Sequence, residues 1–304
     1  MKKRQIGTSD IYVSEMTLGC MSLGTDIKRA TEIIDAALDA GINHLDTADL
    51  YDFGLNEEIV GKAIQNKRDQ VILTSKVGNH FDKKRQDWFW DPSKDHIKKG
   101  LKESLLRLNT DYIDFYMLHG GTIDDPMDES IEAFEELKKE GLIRAYGISS
   151  IRPNVIREYV NRSNIDGVMM QYSLLDRRPE EEILDLLHAQ SISVLARGPV
   201  AKGILTGYGE RKIEEKAAEG YLDYSYEELV QMERQLHSVL GKIPFHEAAF
   251  RYILKHPAVA SVVFGASTKE QVLANTEIDL SELPNHMYMK LKDITRPIKY
   301  TKHR

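Results

Sequence analysis

The chain has 304 residues, of which 41% are apolar and 8% aromatic, with charges of both signs spread along it. That composition supports a large core and excludes a disordered or fibrous protein, while the length fits one eight-unit barrel or two ordinary domains. A net charge of −7 argues against a nucleic-acid partner or an anionic membrane surface.

Met1-Lys2-Lys3-Arg4 is basic, but no apolar segment follows it, and no run is long enough to span a bilayer. Arg4 to Val13 has turn chemistry between strand formers, so an N-terminal β-hairpin within residues 1–14 is expected. Met16-Thr17-Leu18-Gly19 reads as a first core strand. Cys20 is the lone cysteine, which leaves no disulfide framework and points to a reducing, cytoplasmic setting. Ala30, Ile33, Ile34, Ala37 and Leu38 give a helix that ends at Gly41.

The pattern then repeats: a short apolar strand, a polar residue at its end, and an amphipathic helix. Further strands are expected at Ile42–Leu45, Val71–Ser75, Ile113–Leu118, Ala145–Ile148, Gly167–Met170, Ser193–Ala196 and Ser261–Phe264. Asn56-Glu57-Glu58 suits a helix N-terminus, and Leu55, Ile59, Ala63 and Ile64 form the apolar stripe behind it. Eight apolar strands alternating with helices predict an α/β fold, a single (β/α)8 TIM barrel over residues 1–304 with a C-terminal tail at 277–304.

In such a barrel Asp46, Lys76, His119, Ser149, Gln171, Arg197 and Gly265 follow the strand ends and converge on the C-terminal rim, where barrel active sites lie. Two insertions are long enough to be functional. The first, Gly78 to Pro92, carries Phe81, Trp88, Phe89 and Trp90 and is expected to form part of an apolar substrate pocket. The second, Gly203 to about Ile243, carries Tyr208, Tyr221, Tyr224 and Tyr226 and is expected to fold over a cofactor.

Tyr51, in the loop past Asp46, is a poor acid by itself, so a proton-donor role requires a nearby cation. Lys76 supplies one: a unit charge about 4 Å away at an effective dielectric near 20 is worth roughly 4 kcal/mol. Asp46 would hold that lysine ionised, and a neutral His119 would donate a hydrogen bond to the same oxygen. The set suits protonating a carbonyl oxygen as hydride reaches its carbon. The dinucleotide fingerprint G-x-G-x-x-G is absent, but Gly265-Ala266-Ser267-Thr268 opens a helix in the position of the barrel phosphate site. Ser149 and Gln171 suit a carboxamide, and the Arg197 guanidinium a flat ring.

These residues resemble the aldo-keto reductase family. Asp46-Thr47-Ala48 with Tyr51 matches its signature, Val71–Lys76 its lysine strand, and Leu118-His119 its histidine strand. Gly147–Ser149 and Gln171–Leu175 match its nicotinamide segments; Pro199–Gly207 and Gly265–Val272 match its cofactor loops. The match covers about Arg4 to Asn275. The resemblance implies reduction of aldehydes or ketones with NADP(H), with Asp46, Tyr51, Lys76 and His119 as the catalytic tetrad and Tyr51 as general acid. It also implies cofactor contacts from Ser149, Gln171, Arg197, Gly198, Pro199 and Val200. Lys202, Gly203, Gly265, Ser267, Thr268, Lys269, Gln271 and Asn275 would complete them. Arg197 stands where an aromatic ring often stacks on the nicotinamide, and Ser150 where asparagine is common. Neither Ser267 nor Thr268 is the arginine often found for a 2′-phosphate, so NADPH is expected to be favoured only about ten- to a hundred-fold, with NAD(H) usable.

Two other readings compete. His44, Asp46, Lys76 and His119 could form a metal-dependent hydrolase rim, although no metal site is expected and His44 reads more simply as a core histidine. A cofactor-binding regulatory or redox-sensing subunit with slow turnover is the second.

Overall fold

The computed structural model describes residues 1–206 and 209–304, so Gly207 and Tyr208 of the second insertion lie outside the described residues. The opening segment pairs β1 (Lys3–Gln5) with β2 (Tyr12–Ser14) as the expected antiparallel hairpin. Strands β3 (Met16–Gly19), β4 (His44–Asp46) and β5 (Ile72–Val77) follow, separated by helices α1 (Ile27–Asp39) and α2 (Leu55–Ile64). The first insertion is itself folded, as a second antiparallel hairpin of β6 (Asn79–Asp82) and β7 (Asp87–Trp90). Next come α3 (Lys94–Leu108), β8 (Ile113–Leu118), α4 (Met127–Lys139), β9 (Ile143–Ser149) and α5 (Pro153–Arg162). Then β10 (Gly167–Gln171), α6 (Ile183–Ala189) and β11 (Ser193–Arg197) lead into the second insertion, which holds α7 (Gly209–Lys216) and α8 (Tyr226–Leu240). After α9 (Phe245–Leu254), β12 (Val259–Gly265) closes the sheet; α10 (Lys269–Thr276) and α11 (Asn285–Ile294) complete the chain's helices among the described residues.

β3, β4, β5, β8, β9, β10, β11 and β12 form one closed parallel barrel, the α/β architecture expected. Its apolar strand runs arise because both faces are covered: Tyr116 and Leu118 of β8 face the helices, while Phe115 and Met117 face the axis. The N-terminal hairpin plugs one end. Ile6, Ile11 and Val13 pack with Phe115, Met117 and Leu195 inside the barrel, and the Gly7 amide donates to Ser193 Oγ at the start of β11. The opposite end, where the strands finish, is left for the site.

Above that plug lies a polar layer. Thr17 Oγ1 is 2.7 Å from His44 Nδ1 and 2.6 Å from Ser261 Oγ, and His44 Nε2 is 2.6 Å from Thr74 Oγ1. All four residues are fully buried, and all four are paired, which is the condition for keeping polar groups in a barrel interior. His44 is therefore the hydrogen-bonded core histidine of the simpler reading.

Several local expectations are corrected. Leu55 is 36% exposed rather than part of the buried stripe, while Asn56 and Glu57 are fully buried. They bind inward: Asn56 Oδ1 accepts from Thr47 Oγ1 at 2.7 Å and its amide donates to the Cys20 carbonyl at 2.9 Å. Glu57 accepts from Ser75 and from Arg107 Nε at 2.6 Å. In the second insertion, Tyr221 accepts a hydrogen bond from the rim residue Gln171 at 3.1 Å, with Tyr224 beside it. They bridge each other through their backbones and are buried, with the Arg296 guanidinium 4.5 Å from the Tyr224 ring.

Candidate active site

Side chains alternate along a strand, so β4 sends His44 and Asp46 to the axis and β5 sends Thr74 and Lys76. Asp46 and Lys76 thus sit one step above the His44 layer. Lys76 Nζ lies 2.7 Å from Asp46 Oδ1 and donates to the Thr47 carbonyl at 2.7 Å; its side chain is 1% exposed. Burial alone would lower this lysine, but Asp46 and Tyr51 outweigh it and hold Lys76 above its ordinary value. For Asp46 burial dominates and raises the carboxyl, with the Lys76 ammonium pulling against it.

The same ammonium lies 3.4 Å from the Tyr51 hydroxyl. Tyr51 reaches it because the loop beyond β4 turns sharply: Asp52 and Phe53 have φ of 48° and 51°, followed by Gly54 at 85°. Two consecutive non-glycine residues in that region cost on the order of 1–3 kcal/mol each, and such strain persists where the surroundings hold it. Here Asn56 and Glu57 anchor the segment from behind.

His119 follows β8 and its ring meets Tyr51 edge-on, with centroids 5.9 Å apart and planes at 83°. Burial first, then Lys76 and Arg197, press His119 down to about 3, so the imidazole is neutral at physiological pH. Its Nδ1 is buried without a partner. Tyr51, Lys76 and His119 line one cavity of about 600 Å³ together with Ser149, Arg197, Trp88 and Trp90. Trp90 is locked in place: Nε1 donates to Asp125 at 3.0 Å, and its ring fills the space over Gly78, where a Cβ would come within 2.6 Å. Gly78 also has φ of 127°, so this position excludes a side chain twice over.

Eight of the cofactor candidates line an adjoining groove of about 870 Å³, while Ser149 and Arg197 line the first cavity and Ser267, Thr268 and Lys269 lie outside both linings. It collects Gly198, Pro199, Val200, Lys202 and Gly203 from the β11 side, and Gly265, Gln271 and Asn275 from the β12 side. Thr206 and Lys212 join them, so part of the second insertion does border this groove. Thr268 caps α10 by accepting from the Gln271 amide at 3.2 Å, and the Ser267 amide donates to Gln271 Oε1 at 2.8 Å. Gln171 lies outside both linings; its amide donates to Tyr221 at 3.1 Å and its carbonyl oxygen is 3.5 Å from Arg197. One cation escaped the linear reading. Arg29, in the first turn of α1, donates to the Ser267 carbonyl at 3.0 and 2.5 Å and shares a surface recess with Thr268 and Lys269.

The rim of the closed (β/α)8 barrel thus joins a buried Lys–Asp pair against a tyrosine to a groove at the helix after the last strand. The Aldo/keto reductase family model matches residues 15–296, and the chain belongs to that family. The match extends through α11, beyond the limit near Asn275 drawn from motifs. Over 296 residues the chain is 55% identical to the oxidoreductase YqkF of Bacillus subtilis (strain 168), covering 94% of this chain and 96% of that one. It is 33% identical over 314 residues to the NADH-specific methylglyoxal reductase of Escherichia coli (strain K12), covering 93% and 95%. Among solved structures, the holo form of aldo-keto reductase AKR11C1 from Bacillus halodurans superimposes with a TM-score of 0.95 at 53% identity, covering 100% and 99%. No helix among the described residues is long and apolar enough to cross a membrane.

Proposed function

We propose that the protein reduces aldehydes or ketones to alcohols with hydride from NADPH, and that Tyr51 is the general acid. The observation that carries this reading is the Lys76 ammonium, 2.7 Å from Asp46 and 3.4 Å from the Tyr51 hydroxyl, inside a cavity that His119 also lines. When bound, the nicotinamide supplies the hydride. Tyr51 gives its proton to the carbonyl oxygen, and Lys76 stabilises the phenolate left behind. Neutral His119 hydrogen-bonds the same oxygen. Asp46 keeps Lys76 charged and aimed, and Trp88 and Trp90 give the carbonyl's substituent an apolar wall.

The groove and the recess at the start of α10 fit a dinucleotide phosphate on their own chemistry: Lys202 and Lys212 are cations of the groove, and Lys269 and Arg29 of the recess. Arg29 and Lys269 beside Ser267 and Thr268 favour a 2′-phosphate and so NADPH, in contrast to the Escherichia coli relative described as NADH-specific. The lone cysteine, Cys20, is buried, in keeping with a cytoplasmic site of action.

A metal-hydrolase rim is disfavoured by the geometry, since both His44 nitrogens are hydrogen-bonded and the Lys76 ammonium occupies the position against Asp46 that a cation would take. The test is loss of reduced-nicotinamide absorbance when purified protein meets a panel of aldehydes in the presence of a chelator. Failure to oxidise reduced nicotinamide with any aldehyde of the panel, with or without metal, would overturn the reading.

A further inference from the structure

The first insertion brings together three residues that the reductase chemistry does not use. His80 lies on β6, Asp91 just past β7, and His96 in the first turn of α3. His80 Nδ1 is 3.6 Å from Asp91 Oδ2 and His96 Nδ1 is 4.0 Å from the same oxygen, and one donor atom from each residue lies within 4.8 Å of the others. These gaps are too long for good hydrogen bonds. They are close to the roughly 3.4 Å that separates neighbouring donors around a tetrahedral zinc ion with bonds near 2.1 Å. Asp91 is fixed for the purpose, because its Oδ1 accepts the Ser93 amide at 3.1 Å and leaves Oδ2 to the two rings. His96 Nε2 is buried without a hydrogen-bond partner.

We propose that His80, Asp91 and His96 bind a divalent transition-metal ion, best Zn²⁺, which ties the β6–β7 hairpin to α3. Two imidazoles and one carboxylate are borderline donors suited to zinc, and a fourth position stays open for water. The imidazole planes of His80 and His96 lie within 13° of each other, so one ring must turn to bring both lone pairs onto one point. His80 is the one that turns, being 46% exposed, and in doing so it leaves its stacks on Phe89 and His96. The ion would then hold Trp88 and Trp90 steady over the substrate cavity without entering the reaction.

The test is calorimetric titration of chelator-stripped protein with ZnCl2, with CoCl2 absorption spectra in parallel. One ion per chain and an intense four-coordinate cobalt spectrum are expected. Losing an outer-shell partner alone typically costs 10–100-fold in affinity, so His80→Ala and His96→Ala should each weaken binding by at least about tenfold. Each variant's thermal midpoint and cofactor binding are measured without metal. Should His96→Ala misfold, the exposed His80→Ala decides alone. Affinity unchanged in that variant, binding without defined stoichiometry, or a weak six-coordinate cobalt spectrum would each overturn the proposal.

Discussion

Lys76 and Lys269 are both cations on the C-terminal rim, yet they work under opposite conditions. Lys76 is 1% exposed, paired to Asp46 at 2.7 Å, and framed by strands on both sides. Lys269 stands in solvent at the start of α10, and its neighbour Arg29 is exposed as well. The first environment is dry, so Coulomb terms are strong and a lost partner leaves a buried charge. The second is wet, so each contact is screened and affinity must come from several modest ones. The catalytic corner should therefore fail sharply when altered, and the cofactor groove gradually.

The sharpest test of that contrast is Tyr51→Phe. It should keep cofactor binding and lower carbonyl turnover by about 10²–10⁴-fold, the usual worth of general acid catalysis. Single-turnover kinetics and cofactor fluorescence titration measure the two separately. A variant retaining more than about a tenth of turnover would mean that another group delivers the proton.

Next, Lys76→Met should cost about 3–5 kcal/mol of stability, because it strands Asp46 in the barrel. Lys76→Met with Asp46→Asn should recover much of that stability but none of the activity. Urea midpoints for the two variants check the claim, and a single variant as stable as wild type would show that water reaches Asp46 despite its burial.

For the groove, the kcat/KM ratio of NADPH over NADH is expected to be about ten- to a hundred-fold, from charge-assisted contacts worth roughly 1.5–3 kcal/mol each. Arg29→Ala and Lys269→Ala should each lower the ratio, and added salt should lower it further. A preference for NADH in wild type would place the 2′-phosphate elsewhere.

The last test concerns pH and is read in ring signals rather than in rates. His44 and His119 are both pressed to about 3, by burial first and Lys76 second. An unfolded histidine takes up its proton near 6.5 and these two do not, so the unfolded state binds more protons below that point. Their contribution to stability is thus whole above about pH 6.5 and declines as pH falls toward 3, by up to about 1.4 kcal/mol per pH unit for each ring. Asp46 and Asp49, raised by burial, act in the opposite sense over the acid range. NMR should show the His44 and His119 ring signals flat from pH 8 to 5.

Strand positions and rim residues were legible in the linear sequence because a parallel barrel leaves a local trace. Strands buried on both faces appear as apolar runs, and each must end in a residue that tolerates the rim, as at Asp46, Lys76 and His119. Helix caps are equally local, since Thr268 precedes Gln271 by three residues whatever the fold. Other features depend on contacts between distant segments. That His44 is satisfied by Thr17 and Thr74, that Leu55 turns outward while Glu57 turns in, and that the Gly78–Pro92 segment pairs with itself all follow from what packs on either side. Arg29 reaches the Ser267 carbonyl across 238 positions, and His80, Asp91 and His96 meet only because a hairpin folds back onto the start of α3. Periodicity records which face of an element is buried, but charges and ligands separated along the chain are brought together by barrel closure alone.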